Sequence, residues 1–149
     1  MAKTQSIVFA ANIAAGRTTT GNSGTIKMPE DLSGIQFILD ATTVTGTSPT
    51  LDLSYEISND EGTTWYGVAR HAQVTAAAQR FMTIPLTTYP CLGLLLASAN
   101  FDVAEVAVTG GTLVTVLNTP PAFMRAAWTI GGTNPNFKFL LTANVIAQR

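Results

Sequence analysis

The chain reads as an all-β protein, an antiparallel β-sandwich that is jelly-roll-like in its strand count. Two stretches of strict alternation and a recurring set of turn residues predict it. From Thr50 to Ile57, the residues Leu51, Leu53, Tyr55 and Ile57 alternate with Thr50, Asp52, Ser54 and Glu56, the period of a strand with one buried face. Near the other end Phe137, Phe139, Leu141, Ala143 and Val145 alternate with Asn136, Lys138, Leu140, Thr142 and Asn144. Turn formers punctuate the chain at Gly21-Asn22, Gly34, Gly46, Asn59 to Gly62, Gly110-Gly111, Pro120-Pro121 and Gly131-Gly132.

In chain order, Ile7 to Ala11 is a first strand, interrupted by Asn12 before the apolar run reaches signal-peptide length. The stretch Asn12 to Gly24, with AAGRTTTGNSG, is too rich in Gly, Thr and Ala for a core strand and is expected to be an arm. Residues 1–24 are therefore set apart as a strand and arm, and 25–149 as one β-sandwich domain. Weaker alternation marks Thr25 to Met28, Ile35 to Thr43, Trp65 to Arg70, Arg80 to Leu86, Val103 to Val108, Thr112 to Val116 and Ala122 to Ile130. The total is about ten short strands, the density that suits a jelly roll. Two segments have helical character instead: the alanine run Gln73 to Gln79, and the apolar Tyr89 to Asn100, which Pro90 and Gly93 oppose.

An internal echo supports the sandwich. TGTSPTLDL, from Thr45, aligns with GGTNPNFKF, from Gly131, matching Gly46 with Gly132, Pro49 with Pro135, Leu51 with Phe137 and Leu53 with Phe139. Each reads as a tight turn feeding a strand, with Pro restricting φ at the strand entry. Two halves of a sandwich reusing one good turn, or a duplicated binding loop, both account for it.

Composition narrows the function. A chain of 149 residues makes one domain and buries roughly 68–70% of its unfolded surface. With 8 basic and 9 acidic residues and a net charge of −1, it lacks the basic footprint that nucleic acid requires. Only 11% of residues are charged, against about 25% in ordinary soluble domains. A surface built on Thr, Ser, Asn and Gly suits a protein that works packed in an assembly. Cys91 is the one cysteine, so no intramolecular disulfide and no cysteine-based zinc site forms, and synthesis in the cytoplasm is expected. The longest apolar segment, Cys91 to Ala99, is about half a membrane span, and no membrane partner is expected.

Candidate chemistry is sparse. Ser58, Asp60, Gly62, Thr64 and Trp65, in SNDEGTTW, resemble the Asp-box of sialidases and related propeller proteins, Ser-x-Asp-x-Gly-x-Thr-Trp. The box occurs once, and its physical content is a hairpin: Asp60 accepts from turn amides, Gly62 takes φ > 0 and Trp65 packs back on the sheet. His71, the one histidine, follows a strand end and reads as a surface or loop residue, with no Gly-x-Ser-x-Gly pattern to supply a nucleophile. The carboxylate pairs Glu30-Asp31 and Asp60-Glu61 sit in turn-like settings. Trp128 shares a face with Met124, Ala126 and Ile130 and belongs to the core, Trp65 packs on the sheet, and Tyr66 is the ring left outside. No catalytic residue, cofactor or metal site is assigned.

GTSPTLDLSYEISNDEGTTWY together with MRAAWTIGGTNPNFKFLLT resembles the small β-sandwich virion proteins of tailed bacteriophages, over Gly34 to Ile57, at Trp65, and from Phe123 to Val145. The stretch Tyr89 to Asn100 departs from that pattern. The resemblance implies a non-enzymatic capsid decoration (cement) protein, located in the virion after assembly in the host cytoplasm. Its implied partners are further copies of itself, as a homotrimer, and the major capsid protein of a phage shell. A tail or neck subunit, or a carbohydrate-binding sandwich module with a glycan partner, are the alternatives. Leu92, Leu94, Leu95 and Leu96 form the candidate interface, since an apolar segment that does not alternate must be covered by the core or by a neighbouring subunit.

Overall fold

The computed structural model describes residues 3–58, 60–85 and 122–147. These are all-β and antiparallel throughout, as the alternation predicts. The strands are β1 (Lys3–Ala10), β2 (Gly21–Asn22), β3 (Ile26–Lys27), β4 (Leu32–Ser58), β5 (Tyr66–Arg70), β6 (Ala78–Pro85) and β7 (Phe123–Ala147). The expected strands over Val103 to Val108 and Thr112 to Val116, the turns at Gly110-Gly111 and Pro120-Pro121, and the segment Tyr89 to Asn100 lie outside the described residues.

Two strands are far longer than expected. β4 runs 27 residues and β7 runs 25, and they pair from Leu32↔Ala147 to Ser58↔Phe123. The glycines at 34, 46, 131 and 132, expected in turns, lie within them. Neither strand is straight. Tyr55 follows Phe37 by eighteen residues, about 60 Å of extended strand, yet the two rings stack with centroids 3.7 Å apart. Trp128 likewise meets Phe139 edge-on at 5.5 Å. The paired ribbon is therefore folded over on itself, and its two arms face each other.

The fold-over lies at the internal echo. The register slips between Ala41 and Thr43, Thr45 and Thr47, and Thr47 and Thr50, while Thr47 pairs with Thr133. Gly46 and Gly132 have φ of 116° and 107°, and Ser48 and Asn134 have 49° and 50°. The two segments are thus the same device, placed opposite each other about a local two-fold. A Cβ at Gly46 would lie 2.7 Å from the Asn134 carbonyl oxygen, and one at Gly132 would lie 2.6 Å from that of Ser48. The echo is neither two separate turns nor two separate loops but one crossing in which each half supplies the other's partner.

This geometry makes two leaves. The first carries β6, the leading arm of β4, the trailing arm of β7 and β1; the second carries β5, the trailing arm of β4, the leading arm of β7, and β2 and β3. Alternation then decides what lies between them. Ile35, Phe37, Leu39, Phe139, Leu141 and Val145 of the first leaf are buried, as are Leu51, Leu53, Tyr55, Met124 and Ala126 of the second. Each large side chain so buried contributes about 1.5–3 kcal/mol. A sandwich of two packed leaves is the result.

The segment expected as an arm lies along β7 of its own chain. Arg17 exchanges backbone hydrogen bonds with Phe137, at 2.7 and 2.9 Å, and Gly21 pairs with Trp128. The Arg17 guanidinium sits 4.5 Å from the Phe139 ring centroid and 5.3 Å from that of Trp128. It also donates to the Ala11 and Phe139 carbonyl oxygens. One cation over two core aromatics fastens a segment that has few apolar side chains of its own. The alanine run forms no helix: Val74 bridges to Leu51, and Ala78 and Gln79 open β6. Val74 is buried, so strand-side packing outweighs the helix propensity of alanine there.

Candidate functional site

The polar side chains that attract attention in the sequence gather at two places on the second leaf. At one, β4 hands over to β5 through the Asp-box-like turn. Ser58, the last residue of β4, is fully buried, and its hydroxyl is saturated. It donates to Asp60 Oδ1 at 2.7 Å and accepts from the Gly62 and Asp60 amides at 2.9 and 3.3 Å, the full capacity of a hydroxyl. Asp60 Oδ1 also accepts from the Thr64 amide at 2.8 Å, and the Asp60 carbonyl accepts from the Thr63 amide. Gly62 has φ of 89° and offers its carbonyl to Trp65 Nε1 at 2.9 Å.

Trp65 is half-buried rather than a core residue. The Arg125 guanidinium lies 4.4 Å from its ring centroid, and Arg125 Nε donates to the Glu56 carboxylate. The five box residues are thereby brought together in one hairpin turn, with each polar group engaged in holding it. Tyr66, next along, is exposed, as its position on the strand predicts.

The Thr64 amide is the main cause that lowers the Asp60 pKa to about 2, followed by the Thr64 and Ser58 hydroxyls. Asp60 is solvent-facing, so the expected effect is a direction. A pKa lowered on folding adds stability above the ordinary aspartate range, and that stability disappears as pH falls from about 4 towards 2. Asp60→Asn is therefore expected to lower the melting temperature at neutral pH. Its deficit against wild type shrinks as the pH approaches about 2. Melts across that range check this, and a pH-independent deficit would contradict it.

His71 forms the second place and differs from expectation. It lies in the connection that follows β5, as a loop residue, but it is buried, 3% exposed, and not on the surface. Its Nε2 lies 3.0 Å from the Tyr55 hydroxyl, its ring meets the Tyr55 ring edge-on, and its amide donates to the Leu53 carbonyl. A polar pair thus sits at the inner edge of the core, with both partners hydrogen-bonded.

Trp128 is buried, with Arg17 against it. Glu30 and Asp31 are exposed in the turn before β4. Among the described residues, no group of three His, Cys, Asp or Glu side chains is placed to hold a metal ion. Cys91 and the candidate interface Leu92, Leu94, Leu95 and Leu96 lie outside the described residues. Sequence reasoning missed both arginines. Arg17 falls in a segment without periodicity, and only the register of β7 against β4 brings Arg125 beside Glu56.

No protein-family model matches the chain, and no curated protein matches it. Solved structures that overlap with it include three of one virus. A structure of infectious bursal disease virus, Gx strain, is 10% identical with a TM-score of 0.48, over 99% of this chain and 32% of that one. The crystal structure of the T13 particle of the same virus is 12% identical with a TM-score of 0.48, over 97% and 31%. The VP2 subviral particle of that virus is 14% identical with a TM-score of 0.36, over 99% and 42%. The chain spans less than half the length of each chain it overlaps.

Proposed function

We propose that this chain is a structural subunit of a virus particle, and that within this class it is a capsid decoration protein. It binds and stabilises a phage head shell as a symmetric homo-oligomer, with a trimer as the expected form. The observation that carries this reading is where the reactive side chains go. Asp60 and Ser58 close a turn, His71 bonds Tyr55 in the core, and Arg17 and Arg125 lie against aromatic rings. Each builds the sandwich, and an enzyme would need such groups to converge on a substrate instead. The low charge and the likeness of GTSPTLDLSYEISNDEGTTWY to phage virion proteins point the same way.

A building block of this kind functions through area and copy number. Each contact with a shell is weak, and binding accumulates because neighbouring copies raise the effective concentration of one another. The chain's physical requirements are rigidity and a surface that tolerates burial. The folded-over ribbon supplies the first, and a surface low in charge supplies the second.

Purified chain mixed with emptied head shells of its parent phage is expected to co-sediment to saturation and to raise the temperature at which the shells break open. Binding to isolated tails but not heads would move the subunit to the tail or neck. Binding to immobilised glycans with no affinity for heads or tails would overturn the structural reading in favour of a carbohydrate-binding module.

A further inference from the structure

The first leaf ends in two edges, β6 on one side and β1 on the other. An edge strand presents a row of main-chain N–H and C=O groups without ladder partners, and these recruit another extended chain unless side chains or bulges prevent it. β6 is blunted. It carries Arg80 and closes on Pro85, which has no N–H, and a charge and a proline are common edge protectors. On the second leaf, β5 has five residues with a register slip beside it, between Tyr55 and Glu56, and β2 and β3 have two residues each. β1 is different. From Lys3↔Ala147 to Val8↔Thr142 it pairs with β7 without interruption, and its bulge comes only after Val8. Among the described residues no strand lies beyond it. Gln5 shows the consequence: it stands opposite the fully buried Val145, on the row that continues through Ile7, yet it is exposed, as are Thr4 and Ser6. Val8 is 54% exposed, and no charged residue occurs from Thr4 to Val8.

We infer that β1 is a self-pairing edge: β1 of a second copy adds to it antiparallel, about a two-fold axis at Ser6, and joins two first leaves into one continuous sheet. Main-chain groups along a strand edge take an extended chain, so the occupant is a strand. Symmetry selects which strand. Pairing β1 with β1 satisfies both open edges at once and closes, whereas pairing β1 with another edge of the same chain leaves one edge free in every copy and grows without end. Arg80 and Pro85 on β6 oppose that second arrangement. In an antiparallel pair, residues directly opposed share a face, so the outward Thr4, Ser6 and Val8 meet one another. With the axis at Ser6, Thr4 stands opposite Val8 of the second copy, Gln5 opposite Ile7, and Ser6 opposite Ser6. This register lies wholly in the regular stretch before the bulge. It sets no charge against another, flanks the exposed Val8 with a second β-branched side chain, and forms about four to six main-chain hydrogen bonds. The contact is small, and it gains strength when many copies are held together. It needs no shell, so it goes beyond the decoration reading and does not depend on it.

The test is the solution mass of the full chain by sedimentation over a concentration series. Wild type is expected to double in mass as concentration rises. Ser6→Lys and Ser6→Asp each set like charges across the axis, and each is expected to weaken the doubling by about fivefold or more. An equimolar mixture of the two sets Lys against Asp and is expected to restore it. Circular dichroism melts report whether each variant folds. If either Ser6 variant does not, a mixture of Thr4→Lys with Val8→Glu, which the same register places opposite each other, takes its place. Doubling that is indifferent to both Ser6 variants overturns the inference, as does a mixture that associates no better than its parts, or a wild-type chain that never doubles. The shell-binding measurement judges the decoration reading separately from each of these outcomes.

Discussion

Gly132→Ala is expected to lower stability by about 2–5 kcal/mol, combining strain at positive φ with overpacking against backbone. Gly132 has φ of 107°, and an added Cβ would stand 2.6 Å from the Ser48 carbonyl oxygen and 3.0 Å from the Pro49 Cα and the Thr47 carbonyl oxygen. None of these is the movable end of a side chain. Gly46→Ala meets the mirror problem, against the Asn134 and Thr133 carbonyl oxygens and the Pro135 Cα. The two effects are expected to be less than additive, since one crossing is disturbed twice. Gly24 provides the contrast. Its φ is also positive, at 76°, but nothing lies within 4 Å of an added Cβ. Gly24→Ala should therefore cost about 1 kcal/mol, from the backbone alone. Urea denaturation of the three variants separates the contributions. Equal losses at 24 and 132 would mean that the crossing is not tightly packed.

Phe37→Ala is expected to cost about 3–5 kcal/mol, the upper range for a core aromatic. The Phe37 ring lies between the leaves. It stacks on Tyr55 of the facing arm, and Phe9 of β1 closes on both, at 6.1 Å from Phe37 and 5.8 Å from Tyr55. Removing the ring opens the contact that holds the ribbon in its folded-over form. Phe37→Leu keeps most of the volume and should cost less than half as much. Calorimetry checks both. If Phe37→Ala unfolded with wild-type stability, the two arms of β4 would not depend on each other.

The strands that carry the core were legible because burial on one face writes itself as alternation. Leu51 to Ile57 and Phe137 to Val145 could be read by eye, and Trp128 fell on the right face by counting in twos. What misled was the local chemistry of the bends. Glycine before Thr-Ser-Pro or Thr-Asn-Pro signals positive φ whether the chain turns back or bulges within a strand, and only the partner decides between them. Here the partner of each segment lies 86 residues away, so two apparent turns became one crossing. His71 looked peripheral because it follows a strand end at Arg70, and its burial follows from Tyr55 on the adjacent strand. Arg17 was invisible for the opposite reason: its segment has no apolar periodicity, and its anchor is a cation over rings that belong to β7. The Asp-box turn was the site most readable in advance, because all of its hydrogen bonds close within eight residues.

The structural role is tested most directly by electron microscopy of the parent virus particle with and without this chain. Symmetry-related copies of a two-leaf sandwich are expected on the outside of the head shell. The densities would be absent from particles assembled without the chain, whose shells break open at lower temperature. Purified particles that lack the chain altogether, with shells equally robust in its presence and absence, would contradict it.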